Sequence, residues 1–155
     1  MLNDKKKVKA LSEEYHDIDI SFQDIIKASP NILVVEDDLS DSFIIEKIIN
    51  GVWADCDIYK AQTLRSAYDI YKNNIIDLIL LDLDLPDSFR EFSVREVKSF
   101  CKSTPLVVVS GLEGRDISQK VRKFQADDFI SKKFMMTDAF KSILQNNLNK
   151  QFFNT

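Results

Sequence analysis

Glycine is scarce in this chain of 155 residues, with three in all, at 51, 111 and 114. That scarcity excludes the glycine-rich loops that cradle phosphates in nucleotide-binding folds. One histidine, His16, leaves a histidine-based metal site or a Ser-His-Asp triad unsupplied. The two cysteines, Cys56 and Cys101, stand far apart and fit no metal or redox spacing. They read as reduced thiols of a cytoplasmic protein. No apolar run approaches the roughly 20 residues that span a bilayer. Met1 to Lys7 lacks the apolar core of a signal peptide. A formal net charge of −4 weighs against general nucleic-acid or membrane-surface binding.

What the chain does have is a set of short apolar runs that end in charge. The most telling is Asp77-Leu-Ile-Leu-Leu-Asp82-Leu-Asp84-Leu-Pro86-Asp87. Leu78 to Leu81 reads as a strand buried on both faces of a parallel sheet, and Pro86-Asp87 as a turn. Ile32 to Val35 is a second such strand, running into Glu36-Asp37-Asp38. Cys56 to Lys60, Leu106 to Val109 and Asp128 to Ser131 complete five, the last two ending in Ser110-Gly111 and Lys132-Lys133. Helical spacing of apolar residues predicts helices over 40–50, 62–73, 91–102, 115–125 and 136–149, with Asn50-Gly51 as the stop of the first. Five alternations of strand and helix predict an α/β fold, a parallel sheet with helices on both faces. The domain spans residues 30–150, with a tail at 151–155. Residues 1–29 read as a helical extension: Val8, Leu11 and Tyr15 at helical spacing, then a capping box at Ser21 to Asp24, with Pro30 as the stop. It either packs on the domain or serves as a docking or homodimerising arm.

In such a sheet the carboxyl ends of the strands share one edge, where ligands bind. Gathered there are Glu36, Asp37, Asp82, Ser110 and Lys132. Each alone has a plain reading as turn former, cap or solvated charge. Together, three carboxylates at one place repel unless a cation compensates them, and a hard ion such as Mg²⁺ suits oxygen ligands. An aspartate beside Mg²⁺ can accept a phosphoryl group, with a lysine and a hydroxyl stabilising its oxygens.

These stretches, with Val108-Val109-Ser110-Gly111 and Ala126-Asp127-Asp128-Phe129-Ile130-Ser131-Lys132, make the chain resemble the receiver domain of bacterial two-component response regulators over residues 31–150. The resemblance implies a flavodoxin-like (βα)5 fold with strand order 2-1-3-4-5. It implies Asp82 as acceptor of phosphate from a histidine kinase or histidine phosphotransfer protein. Asp37 would be a direct Mg²⁺ ligand, Glu36 a ligand through water, and Asp84 would lend its main-chain carbonyl. Ser110 and Lys132 would be the hydroxyl and ammonium that meet the phosphoryl group, and Phe129 the aromatic that turns with Ser110. The implied function is a stand-alone regulator signalling through an unidentified protein partner, with no nucleic acid or membrane contact and no enzyme activity beyond self-phosphorylation and autodephosphorylation.

Three departures bear on this. Lys133 follows Lys132 where the family usually has proline, so Lys132 would approach the site by another backbone path. The glycine usual after the Pro-Asp turn is missing from Asp87-Ser88-Phe89-Arg90, so that loop is expected to be reshaped. Gln125 replaces a common glycine and is expected to leave the fourth helix without a left-handed stop. Two other functions stay open. One is a pseudo-receiver that binds partners independently of phosphate. The other is a small haloacid-dehalogenase-type phosphohydrolase, since Asp82-Leu83-Asp84 resembles its Asp-x-Asp motif. Against the latter, Glu36-Asp37 precedes that motif instead of following the lysine, and no cap domain is visible.

Overall fold

The computed structural model describes residues 29–153 except 102 and 113. The helices expected within the first 28 residues lie outside the described residues. The order of elements is β1 (Asn31–Val35), α1 (Leu39–Val52), β2 (Asp57–Ala61), α2 (Leu64–Asn73), β3 (Leu78–Leu81), α3 (Phe92–Phe100), β4 (Leu106–Ser110), α4 (Arg115–Lys123), β5 (Asp128–Ser131), a 3₁₀ turn (Lys132–Phe134) and α5 (Asp138–Phe153). The strands form one parallel sheet in the order β2-β1-β3-β4-β5. This is the flavodoxin-like order expected for the chain.

Alternation along each strand splits the core into two layers. Leu33, Val35, Ile79, Leu81, Leu106 and Val108 face α2, α3 and α4, where Ala67, Val94, Val97 and Val121 meet them. Ile32, Val34, Leu78, Leu80, Val107 and Val109 face α1 and α5, where Ile45, Ile49, Phe140 and Leu144 close the other layer. The central strands β1, β3 and β4 are therefore apolar except for Asn31 at the start of β1 and Ser110 at the end of β4, because both of their faces are covered. The two edge strands read differently: β2 and β5 keep only Ala61 and Ile130 fully buried.

Helix ends follow local chemistry. Asp38 caps α1, its carboxylate accepting from the backbone N–H groups of Ser40 and Asp41 (both 2.9 Å). Thr63 and Ser66 form a capping box at α2. Asp87, in the loop after β3, adds its carboxylate to the same terminus, accepting from Leu64 N–H (2.9 Å) and Arg65 N–H (3.1 Å). The loop before α3 turns at Arg90, which adopts φ 43° in place of a glycine.

Two expectations are overturned. Asn50-Gly51 does not stop α1, which continues to Val52 and ends at Trp53, whose N–H donates to the Ile49 carbonyl. Gly51 lacks the positive φ that would make it a stop, so the helix passes through it. Gln125 does not deprive α4 of a left-handed stop but supplies it, at φ 72°. Its N–H donates to the Arg122 carbonyl (2.9 Å), and Ala126 N–H donates to Val121 (3.0 Å), the two bonds of a Schellman motif. The motif's hydrogen bonds and the burial of Val121 and Ala126 hold the backbone there, and the side chain follows at a cost.

That cost is measurable. Gln125→Gly is expected to stabilise the protein by about 0.5–1 kcal/mol, the left-handed penalty of an L residue less the greater unfolded-state entropy of glycine. A urea midpoint that falls instead would show that the Gln125 side chain contributes more than its backbone costs.

Candidate functional site

Strand register carries the charged ends together. Val35 pairs with Leu81, Leu81 with Val108 and Ser110 with Ser131, so the residues that follow emerge side by side on one edge. Asp82 N–H donates to the Val35 carbonyl and Glu36 N–H to the Ala61 carbonyl (both 2.9 Å), which fixes both acids at the rim. β1 and β3 are the central pair where the winding reverses.

Glu36, Asp37 and Asp82 each offer a carboxylate oxygen within 4.8 Å of the others. Glu36 and Asp82 are buried and Asp37 is exposed, so the cluster opens to solvent on one side. The cation inside it is Lys132. Its ammonium lies 2.7 Å from Glu36 Oε2, 2.7 Å from Asp41 Oδ2 and 3.5 Å from Asp82 Oδ2. Lys132 makes these contacts with a trans backbone at Lys133 and is itself the first residue of the 3₁₀ turn. Glu36 Oε1 accepts Asp38 N–H (3.0 Å), and Asp82 Oδ1 accepts Leu83 N–H (2.9 Å).

Protonation follows from these contacts. Burial pushes Glu36 up to about 7; the nearby Lys132 ammonium opposes this and the Asp82 charge adds to it. Burial likewise raises Asp82, against the pull of the Lys132 charge and the backbone N–H groups of Leu83 and Asp84. Burial works against the Lys132 ammonium, but the carboxylates of Asp41 and Glu36 and the charge of Asp82 outweigh it and raise its pKa. The three oxygens suit a small hard cation: the donor set is all carboxylate, partly buried and underneutralised by one ammonium.

Other expected residues sit less directly. The Ser110 hydroxyl is buried at the end of β4 and accepts Leu112 N–H (3.1 Å), a local bond rather than a contact with Asp82. Phe129 is half-buried on β5 against the α2–α3–α4 layer. The Asp84 side chain is exposed and lies outside the carboxylate cluster. The residue missed by sequence reading is Asp41. In sequence it reads as an acid complementing the N-terminus of α1. Only the cap at Asp38, which sets where the first turn begins, reveals that it faces the strand ends.

Because Lys132 is the counter-ion of two buried acids, Lys132→Met is expected to cost about 3–5 kcal/mol at pH 8 without metal. The loss should shrink toward pH 5. Glu36, with its pKa raised from 4.5 to about 7, is then neutral in the folded state and needs no partner. Urea unfolding at the two pH values measures this; an equal loss at both would mean that Lys132 acts by packing.

Comparison with known proteins agrees with this geometry. The family model of the response regulator receiver domain matches residues 32–144. The cell cycle response regulator CtrA of Brucella ovis is 32% identical over 105 residues, covering 66% of this chain and 44% of that regulator. The chain thus matches less than half the length of that relative. A CheY-like receiver domain protein from Methanospirillum hungatei superposes with a TM-score of 0.68 at 21% identity, over 79% of this chain and 95% of that one. The Mn²⁺-bound form of response regulator Rcp1 superposes at 0.59 with 22% identity, over 80% and 93%. With the sheet order and the strand-end acids in place, the match over most of its length shows that this chain belongs to the response-regulator receiver family, a family of signalling domains and not of haloacid-dehalogenase hydrolases.

Proposed function

We propose that the chain is a phosphorylatable receiver whose acceptor is Asp82. The observation that carries this reading is the convergence of Glu36, Asp37 and Asp82 around one opening, with Lys132 beside them. In the step proposed, a carboxylate oxygen of Asp82 attacks the phosphorus of a phosphohistidine on a histidine kinase or phosphotransfer protein. The new P–O bond forms as the P–N bond breaks, and the departing imidazole nitrogen takes a proton from solvent. Lys132 and the Ser110 hydroxyl, once it leaves Leu112, would donate to the phosphoryl oxygens, and Phe129 would move with Ser110.

Glu36, Asp37 and Asp82 would hold Mg²⁺, and the Asp84 main-chain carbonyl would complete its shell. When bound, Mg²⁺ supplies positive charge to the phosphoryl oxygens. That Rcp1, similar in fold, occurs in a Mn²⁺-bound form is consistent with a divalent ion in this reading. Output would be a protein contact that changes with phosphorylation. A cytoplasmic setting belongs to this reading and accords with two free cysteines, Cys56 and Cys101. Among the described residues, no helix is long and apolar enough to cross a membrane.

Acetyl phosphate with Mg²⁺ is expected to add one phosphoryl group, seen by intact mass, with none gained without the metal or in Asp82→Asn. Rapid consumption of acetyl phosphate with no mass gain would point to hydrolase behaviour. An unreactive protein would favour a receiver whose contacts no longer depend on phosphate.

A further inference from the structure

We propose that Asp41 is a positioning residue that draws the Lys132 ammonium away from Asp82 and so limits how strongly a phosphoryl group on Asp82 is held. The inference rests on Asp82 being the acceptor, and concerns a contact which that reading does not use.

An ammonium has three hydrogens to place. Lys132 donates to Asp41 Oδ2 (2.7 Å) and stands as an ion pair with Glu36 Oε2 at the same distance. Asp82 Oδ2, at 3.5 Å, lies outside the 2.7–3.2 Å of a normal N–H···O bond. Glu36 and Asp82 are buried at strand ends that the sheet register holds fixed. Asp41 belongs to another element, the first turn of α1, where the Asp38 cap fixes its backbone N–H at 2.9 Å. Its side chain is only 28% exposed, so this ion pair is partly shielded from water. Asp41 is thus a second anion for Lys132, set off from the acceptor.

A phosphoryl group on Asp82 brings nearly two negative charges and three acceptor oxygens into reach of the same ammonium. Lys132 can turn fully to that group only by weakening its bond to Asp41. Whatever that bond contributes is subtracted from the phosphoryl state, so Asp41 opposes phosphorylation and Lys132 transmits the opposition. Were Asp41 only an acid at a helix N-terminus, its removal would lower stability and leave phosphoryl affinity alone.

The test is the Mg²⁺-dependent binding of fluoroberyllate, a phosphoryl mimic, to the full chain by titration calorimetry. Asp82→Asn serves as the control on the acceptor. Binding by the wild type that Asp82→Asn abolishes upholds the acceptor reading; its absence brings down that reading and this one together. With wild-type binding in hand, Asp41→Asn is expected to bind fluoroberyllate roughly fivefold more tightly, the scale of one partly exposed ion pair. The gain should vanish in the Lys132→Met background. Unchanged or weaker binding by Asp41→Asn overturns the proposal, as does a gain that persists without Lys132. If Lys132→Met does not fold, Lys132→Gln takes its place as the background in which the gain should vanish.

Discussion

The site depends on one ammonium shared among acids that the fold forces together. Sheet register fixes Glu36 and Asp82 side by side in a buried rim, where each carboxylate is costly alone and worse beside the other. Lys132 offsets part of that cost, at 2.7 Å from Glu36 but 3.5 Å from Asp82. Charge compensation is therefore incomplete at Asp82. Glu36, raised to about 7, registers the shortfall, and a divalent ion is the natural complement.

The rest of the fold serves to hold that arrangement. Three apolar central strands, covered on both faces, make a base in which one-residue slippage would exchange the two core layers, so the register is firmly set. The loops that leave this rim are tied by local polar bonds rather than by packing. Asp38 caps α1 and thereby aims Asp41. Asp87, five residues beyond Asp82, adds its carboxylate to the N-terminus of α2, so the loop after β3 is anchored to a neighbouring helix. Ser110 is engaged with Leu112, a bond weak enough to be exchanged for one to a phosphoryl oxygen.

Much of this was legible in the sequence. Buried parallel strands announce themselves as unbroken apolar runs, and Ile32–Val35, Leu78–Leu81 and Leu106–Val109 all did. The acids and the lysine at their ends could be assigned to one edge because right-handed crossovers leave no other placement. What escaped was set by backbone geometry. Gln125 was read as the loss of a left-handed stop, yet the chain adopts that conformation because the Schellman bonds and the buried flanking residues outweigh a penalty of about 1–2 kcal/mol. Gly51 was read as a stop, but it lacks a positive φ and the helix runs on to Trp53, which packs against the core beside α1. Asp41 was not singled out because its direction depends on where the helix cap falls, to within one residue. The different backbone path expected for Lys132 from Lys133 in place of proline agrees with the trans backbone there, from which the flexible four-carbon stem still brings the ammonium to the acids.

The central claim is that the acids form a divalent-cation site in the folded protein. Its most direct test is the urea midpoint of unfolding measured across Mg²⁺ concentrations, for the wild type and for Asp37→Asn. The account predicts that stability rises with the logarithm of Mg²⁺ as for one bound ion, by about 2.7 kcal/mol at a hundred times the dissociation constant, and that Asp37→Asn shifts the rise to higher Mg²⁺. A wild-type midpoint indifferent to Mg²⁺, or a rise identical in Asp37→Asn, would contradict it.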